Sequence, residues 1–98
     1  MTYVIDPEGA ETSAISVLAS LKGSDVLEVG CGNGRVTWRY ADEVASVLAV
    51  DLNPDRISEA SAATPERLRS KVAFRVGDFN EMVLPGDSFD AVIFSNSL

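Results

Sequence analysis

Three glycines at alternate positions, Gly30, Gly32 and Gly34, interrupt the chain directly after the apolar run Asp25-Val26-Leu27-Glu28-Val29. A short apolar run entering glycines reads as a buried strand. Glycines spaced this way permit tight turning through positive φ and let a ligand lie against bare backbone. A helix-like stretch, 35–43, comes next, and Val36, Tyr40 and Val44 recur along one of its faces. Its start would offer free N–H groups and a partial positive charge. Strand, glycine loop and helix in that order can hold a nucleotide, a carboxylate or a phosphate. The dinucleotide fingerprint G-x-G-x-x-G needs a third glycine where Arg35 stands, and the Walker A loop needs a lysine that this loop lacks. The loop is therefore expected to take a nucleotide-like ligand without phosphate-specific apparatus.

The rest of the chain alternates helix and strand signals. Asp6-Pro7-Glu8 starts a helix, Ala14, Ile15, Val17, Leu18 and Leu21 form its apolar stripe, and Lys22-Gly23 ends it, giving a leading helix over about 7–22. Asp25 to Gly30 is the first strand and Ser46 to Asp51 the second. Asn53-Pro54-Asp55 opens a helix with Asn53 as N-cap and Ile57, Ala60 and Ala63 on one side; Thr64-Pro65 restarts it as a short piece to Ser70. Val72 to Val76 is the third strand, 78–88 a loop punctuated by Pro85-Gly86, and Phe89 to Phe94 the fourth strand. Strands alternating with helices predict an α/β fold of parallel strands joined by right-handed crossovers. No repeat, linker or charge block divides the 98 residues, so one domain is expected over 1–98.

Composition removes several classes of function. Lys and Arg number 8 against 15 Asp and Glu, a net charge of −7, which argues against nucleic-acid binding through phosphate neutralisation. Without histidine, a Ser-His-Asp or Cys-His nucleophile pair within this chain is excluded. With a single cysteine besides, no metal site is expected. One cysteine also forbids an internal disulfide, which suits a reducing, cytoplasmic setting. No apolar run approaches the ~20 residues of a membrane helix. The N-terminal MTYVIDPEGA lacks the basic-then-apolar pattern of a signal peptide.

Two acids end strands in positions that matter. Asp51 closes the second strand and Asp78 follows the third, in Gly77-Asp78-Phe79. In a Rossmann-type sheet both belong to the carboxyl edge beside the glycine loop. A carboxylate there can accept from both hydroxyls of a ribose, and a second from an exocyclic amine such as adenine's. Leu52 and Phe79 could wall a base. Each acid alone reads equally well as a turn or cap residue. Cys31 alone reads as a small loop residue, Glu28 alone as a partner for loop backbone, and Trp38 and Tyr40 as core or subunit contacts. The conjunction is what carries chemistry: a glycine loop after strand one, then acids ending strands two and three, in order.

In that conjunction the chain resembles the class I S-adenosylmethionine-dependent methyltransferases. The resemblance runs through Val26-Leu27-Glu28-Val29-Gly30-Cys31-Gly32-Asn33-Gly34, then Val50-Asp51-Leu52-Asn53, Gly77-Asp78-Phe79 and Ser88 to Leu98, and it covers 24–98. It implies a Rossmann-like methyltransferase fold with the four strands in the order 3-2-1-4, flanked by helices. It implies S-adenosylmethionine as cofactor: Glu28, Gly30, Cys31, Gly32 and Asn33 around its methionine part, Asp51 on the ribose, and Leu52 against the adenine. Asp78 would take the adenine amine, the Phe79 backbone would touch the ring, and Ser95 would lie near the sulfonium. The resemblance is nearer to the small-molecule type, whose fourth strand runs into a segment like Ser95-Asn96-Ser97-Leu98; the Asn/Asp-Pro-Pro-Tyr/Phe motif of amino methyltransferases is missing there, which disfavours a nucleobase target.

The family's sheet continues past a fourth strand, so the chain is expected to be an incomplete cofactor-binding domain, truncated after strand four. The outer edge of that strand is expected to be open and able to pair with a partner chain. A general base is optional for such a transfer, and no catalytic residue can be named from these residues. Alternative readings are a non-catalytic nucleotide-binding or interaction module and a fragment of an NAD-dependent oxidoreductase.

Overall fold

The structure, a computed structural model, describes residues 4–5, 21–81 and 89–95. Five strands make one parallel sheet: β1 (Val4–Ile5), β2 (Asp25–Val29), β3 (Ser46–Asp51), β4 (Val72–Val76) and β5 (Ala91–Phe94). Their spatial order is β1-β5-β2-β3-β4. The four strands read from the sequence thus stand in the expected order 3-2-1-4. Among the described residues two α-helices, α1 (Thr37–Tyr40) and α2 (Pro54–Ala63), lie between the strands, with one 3₁₀ turn at Glu66–Leu68 before β4 and another at Phe79–Glu81 after it. The leading helix expected over 7–22 lies outside the described residues but for its last positions, a turn over 21–23.

Cross-strand register sorts the side chains. Val26 stands beside Val47 on one side and Ala91 on the other, and Val47 beside Val72. Because side chains alternate along a strand, Val26, Val47, Val72 and Ala91 share one face of the sheet. That face carries the core: all four are buried and cluster with Val36, Tyr40, Ala41 and Val44 from α1 and its flanks, and with Leu21, Ile57 and Leu68. Glu28 belongs to the same face, two residues beyond Val26.

Three expectations change. The helix expected over 35–43 is α-helical only at Thr37–Tyr40, with turns on either side. Val36, Thr37, Trp38 and Tyr40 are β-branched or aromatic and weak helix formers, and three-residue closures such as Glu43 N–H to Tyr40 O, at 2.9 Å, replace α-helical ones. The last strand begins at Ala91 because the Asp90 carboxylate accepts from the Asp25 N–H at 2.9 Å, a side chain taking a ladder bond. The outer edge of that strand, expected to be open to a partner chain, is covered over two residues: Val4 and Ile5 pair in parallel with Val92 and Ile93. The chain's own N-terminal backbone satisfies those edge groups, so the expectation of open-edge pairing is corrected there. β4 ends the sheet on the opposite side.

Candidate functional site

The carboxyl ends of β2, β3 and β5 converge on the glycine loop. The N–H groups of Gly30 and Cys31 both donate to Val50 O, at 2.8 and 3.1 Å, which folds the loop over the end of β3. Gly30, Gly32 and Gly34 all have positive φ, between 56° and 90°, the conformation that only glycine adopts without strain. Gly34 has a steric reason too, since a Cβ there would lie 2.7 Å from Trp38 Cζ2. With only four residues, α1 is too short for its N-terminus to be an anion site in its own right. The loop backbone itself is the candidate binding element, since it lines a cavity.

Asp51 is fixed at the centre. Its Oδ2 accepts from the Gly32 N–H at 2.8 Å and its Oδ1 from the Asn53 N–H at 2.9 Å. Each carboxylate oxygen keeps a lone pair for a further donor. Asn53 is the N-cap of α2, its Oδ1 accepting from Asp55 N at 2.9 Å and Arg56 N at 3.3 Å. Asp78 is ordered by its own turn, Oδ1 accepting from the Asn80 N–H at 2.9 Å.

Two cavities meet at Gly30 and Asp51. One, of about 540 Å³, is walled by Val50, Leu52, Asp78, Phe79 and Phe94. Phe79 and Phe94 meet edge to face at 6.0 Å, and Leu52 is 69 % exposed, an apolar side chain with little to cover it. The other, of about 360 Å³, is polar and is lined by Gly32, Asn33, Arg35, Asn53, Arg56 and Ser95 among others. Ser95 is buried, its hydroxyl donating to Gly30 O at 3.0 Å.

Of the residues expected at the site, Gly30, Cys31, Gly32, Asn33, Asp51 and Ser95 line the polar cavity, and Leu52, Asp78 and Phe79 line the apolar one. Glu28 lines neither. It is fully buried behind the loop, where its Oε1 accepts from Thr37 Oγ1 at 2.6 Å and from the Tyr40 hydroxyl at 2.5 Å. Its Oε2 has no hydrogen-bond partner among the described residues. Burial first, then the Glu28 charge, pushes the Tyr40 hydroxyl pKa far up, so it stays a donor. Burial, with Glu28 and Asp51 nearby, pushes the Cys31 thiol up from 9.0 to about 12. Cys31 is therefore no thiolate nucleophile at neutral pH. Among the described residues no group of three metal-ligating side chains occurs, and no helix is long and apolar enough to cross a membrane.

Phe94, Arg56 and the Thr37–Tyr40 pair are not among the site residues expected from the sequence. The three-residue spacing of Thr37 and Tyr40, which puts two hydroxyls on one helix face, was the available signal.

A parallel sheet with a glycine loop, an anchored strand-end acid and paired polar and apolar cavities at its carboxyl edge defines a Rossmann-like nucleotide-binding domain. Comparison with known proteins narrows this. A methyltransferase domain family matches residues 26–98, and the chain belongs to that family. It is 38 % identical over 95 residues to the magnesium-protoporphyrin O-methyltransferase of Rhodobacter capsulatus, covering 93 % of this chain and 42 % of that protein. It is 40 % identical over 75 residues to a sterol 24-C-methyltransferase of Aspergillus fumigatus, covering 72 % of this chain and 19 % of that one. The fold superposes on an S-adenosylmethionine-dependent methyltransferase from Mesorhizobium loti with a TM-score of 0.73 at 26 % identity, covering 89 % of this chain and 40 % of that structure. The chain thus spans less than half the length of these relatives.

Proposed function

We propose that the chain binds S-adenosylmethionine across the two cavities and forms the cofactor-binding part of a methyltransferase with a small-molecule acceptor. The observation that carries this is the position of Asp51, anchored by the N–H groups of Gly32 and Asn53 where the two cavities join. The residues fit the cofactor. The apolar cavity suits an adenine, with Leu52 and Phe79 on its faces and the Asp78 carboxylate for its amine. Asp51 keeps lone pairs for both ribose hydroxyls. The Gly30–Asn33 backbone and Ser95 face the methionine part. Glu28 serves as a positioning residue, tying α1 beneath the loop through Thr37 and Tyr40.

The bound cofactor supplies a methyl group on a sulfonium, already activated for in-line transfer. The protein's work is then alignment, which can lower a barrier by about 7–11 kcal/mol. Rigid anchoring of Asp51 and the loop serves that end. Oxygen and carbon acceptors both occur among the relatives' names, and the acceptor atom here is left to residues beyond the site. The lone, buried Cys31 suits a reducing cytoplasm. Isothermal titration of the folded chain with S-adenosylmethionine and S-adenosylhomocysteine tests the proposal: saturable binding of both is expected, and no heat with either would overturn it.

A further inference from the structure

The two cavities contain two cations, Arg35 and Arg56. Arg35 is already engaged in an interaction within the chain. Arg56, the third residue of α2, has its backbone held by the Asn53 cap at 3.3 Å and its side chain turned to the glycine loop. Its Nη1 lies 3.5 Å, and its Cδ 3.8 Å, from the point a Cβ on Gly32 would occupy. The arginine side chain therefore lies alongside Gly32, at ordinary van der Waals distance from that point. Among the described residues it has no ion-pair or side-chain hydrogen-bond partner, and the two oxygens of nearby Asp51 each accept from a backbone N–H.

We propose that Arg56 is a specificity-determining residue of the polar cavity, where its guanidinium pairs with the carboxylate at the amino-acid end of the bound cofactor. This rests on the cofactor reading above. With the base in the apolar cavity and the sugar on Asp51, the remaining chain of the ligand enters the polar cavity, and its one anionic group needs a donor. Guanidinium meets carboxylate with two parallel N–H bonds, a geometry that an ammonium lacks.

The test is calorimetric titration of the wild-type chain, Arg56→Gln and Arg56→Lys with two ligands. One is S-adenosylhomocysteine; the other is its decarboxylated analogue, which keeps the adenosine, the sulfur and the amine. Arg56→Gln is expected to weaken S-adenosylhomocysteine roughly five- to tenfold and Arg56→Lys less, a gap that narrows as salt rises. Affinity for the decarboxylated analogue is expected to stay within about twofold in all three proteins, since it lacks the group being read. Equal weakening of both ligands, or no weakening of S-adenosylhomocysteine, overturns the role of Arg56 while leaving the cofactor reading intact. A folded wild-type chain, shown by circular dichroism, that binds neither ligand overturns the cofactor reading and this inference with it.

Discussion

The N–H of Gly32 donates to Asp51 Oδ2 at 2.8 Å, so the middle of the glycine loop and the acid that ends β3 form one unit. The second oxygen holds the Asn53 N–H at 2.9 Å, which links the same carboxylate to the start of α2. Loop, strand end and helix cap thus depend on one side chain. In the proposed function, that residue orients a ligand group and keeps the surrounding backbone in shape to receive the rest of it.

Replacing Asp51 removes two roles at once. Asp51→Ala is expected to weaken S-adenosylhomocysteine binding by at least about tenfold, since a hydrogen bond to a charged group contributes about 1.5–3 kcal/mol. Asp55→Ala, on the exposed first turn of α2, is expected to change affinity by less than about twofold. Titration calorimetry on the two variants decides it: equal effects would remove Asp51 from the ribose.

Gly34 faces a tighter limit than its neighbours. Its φ is +90°, and a Cβ would meet Trp38 Cζ2 at 2.7 Å and Cε2 at 3.0 Å. Trp38 cannot retreat freely, because it packs edge to face on Phe74 at 5.7 Å. Gly34→Ala is expected to destabilise the fold by about 2–4 kcal/mol, combining backbone strain with overpacking. Urea unfolding of Gly34→Ala, Trp38→Leu and the double variant checks the mechanism. The double variant should be more stable than the summed single effects imply by about 1 kcal/mol, whereas strict additivity would separate the cost from the tryptophan.

Local chemistry explains what was legible. β3 and β4 match the reading residue for residue, and Asn53 caps α2, because apolar patterning and an Asn-Pro start act within a few residues. The glycine loop and its two acids were visible through their order alone. The strand Val4–Ile5 was not, since two residues carry no periodicity and their pairing depends on an edge nearly ninety positions away. The shortness of α1 follows from the weak helix propensity of its β-branched and aromatic residues, which the spacing of Val36, Tyr40 and Val44 does not reveal. Glu28 exposes the same limit at the site. Its motif places it next to the loop, but only the fold reveals that Thr37 and Tyr40 face it from behind.

That buried trio has an energetic signature. Tyr40→Phe keeps the ring and removes one of two donors to a fully buried carboxylate oxygen. Leaving such a group undersupplied is expected to lower stability by about 1–3 kcal/mol. Thr37→Val removes the other donor at similar cost, and the double variant should lose more than the sum, because Oε2 offers no alternative partner among the described residues. Chemical denaturation of the three variants tests this; a stability unchanged in Tyr40→Phe would mean that the hydroxyl bond contributes nothing.

Cys31 ties the site to alkaline pH. Its thiol pKa is 9.0 when exposed and about 12 in the fold, where burial and the charges of Glu28 and Asp51 disfavour the thiolate. Between those values the unfolded chain has released the proton while the folded chain still holds it. Stability therefore falls as pH rises from about 9 toward 12 and is fully present below 9. Tyr40, whose hydroxyl pKa is also raised, adds to the same decline above about 10, the ordinary tyrosine value. Cys31→Ala should flatten the first part of this slope in denaturation curves recorded across that range. In the wild-type chain at pH 8, a thiol reagent should label Cys31 far more slowly than a free cysteine, and S-adenosylhomocysteine should slow it further by closing the cavity the residue lines. Rapid labelling indifferent to ligand would show that the loop leaves the thiol open.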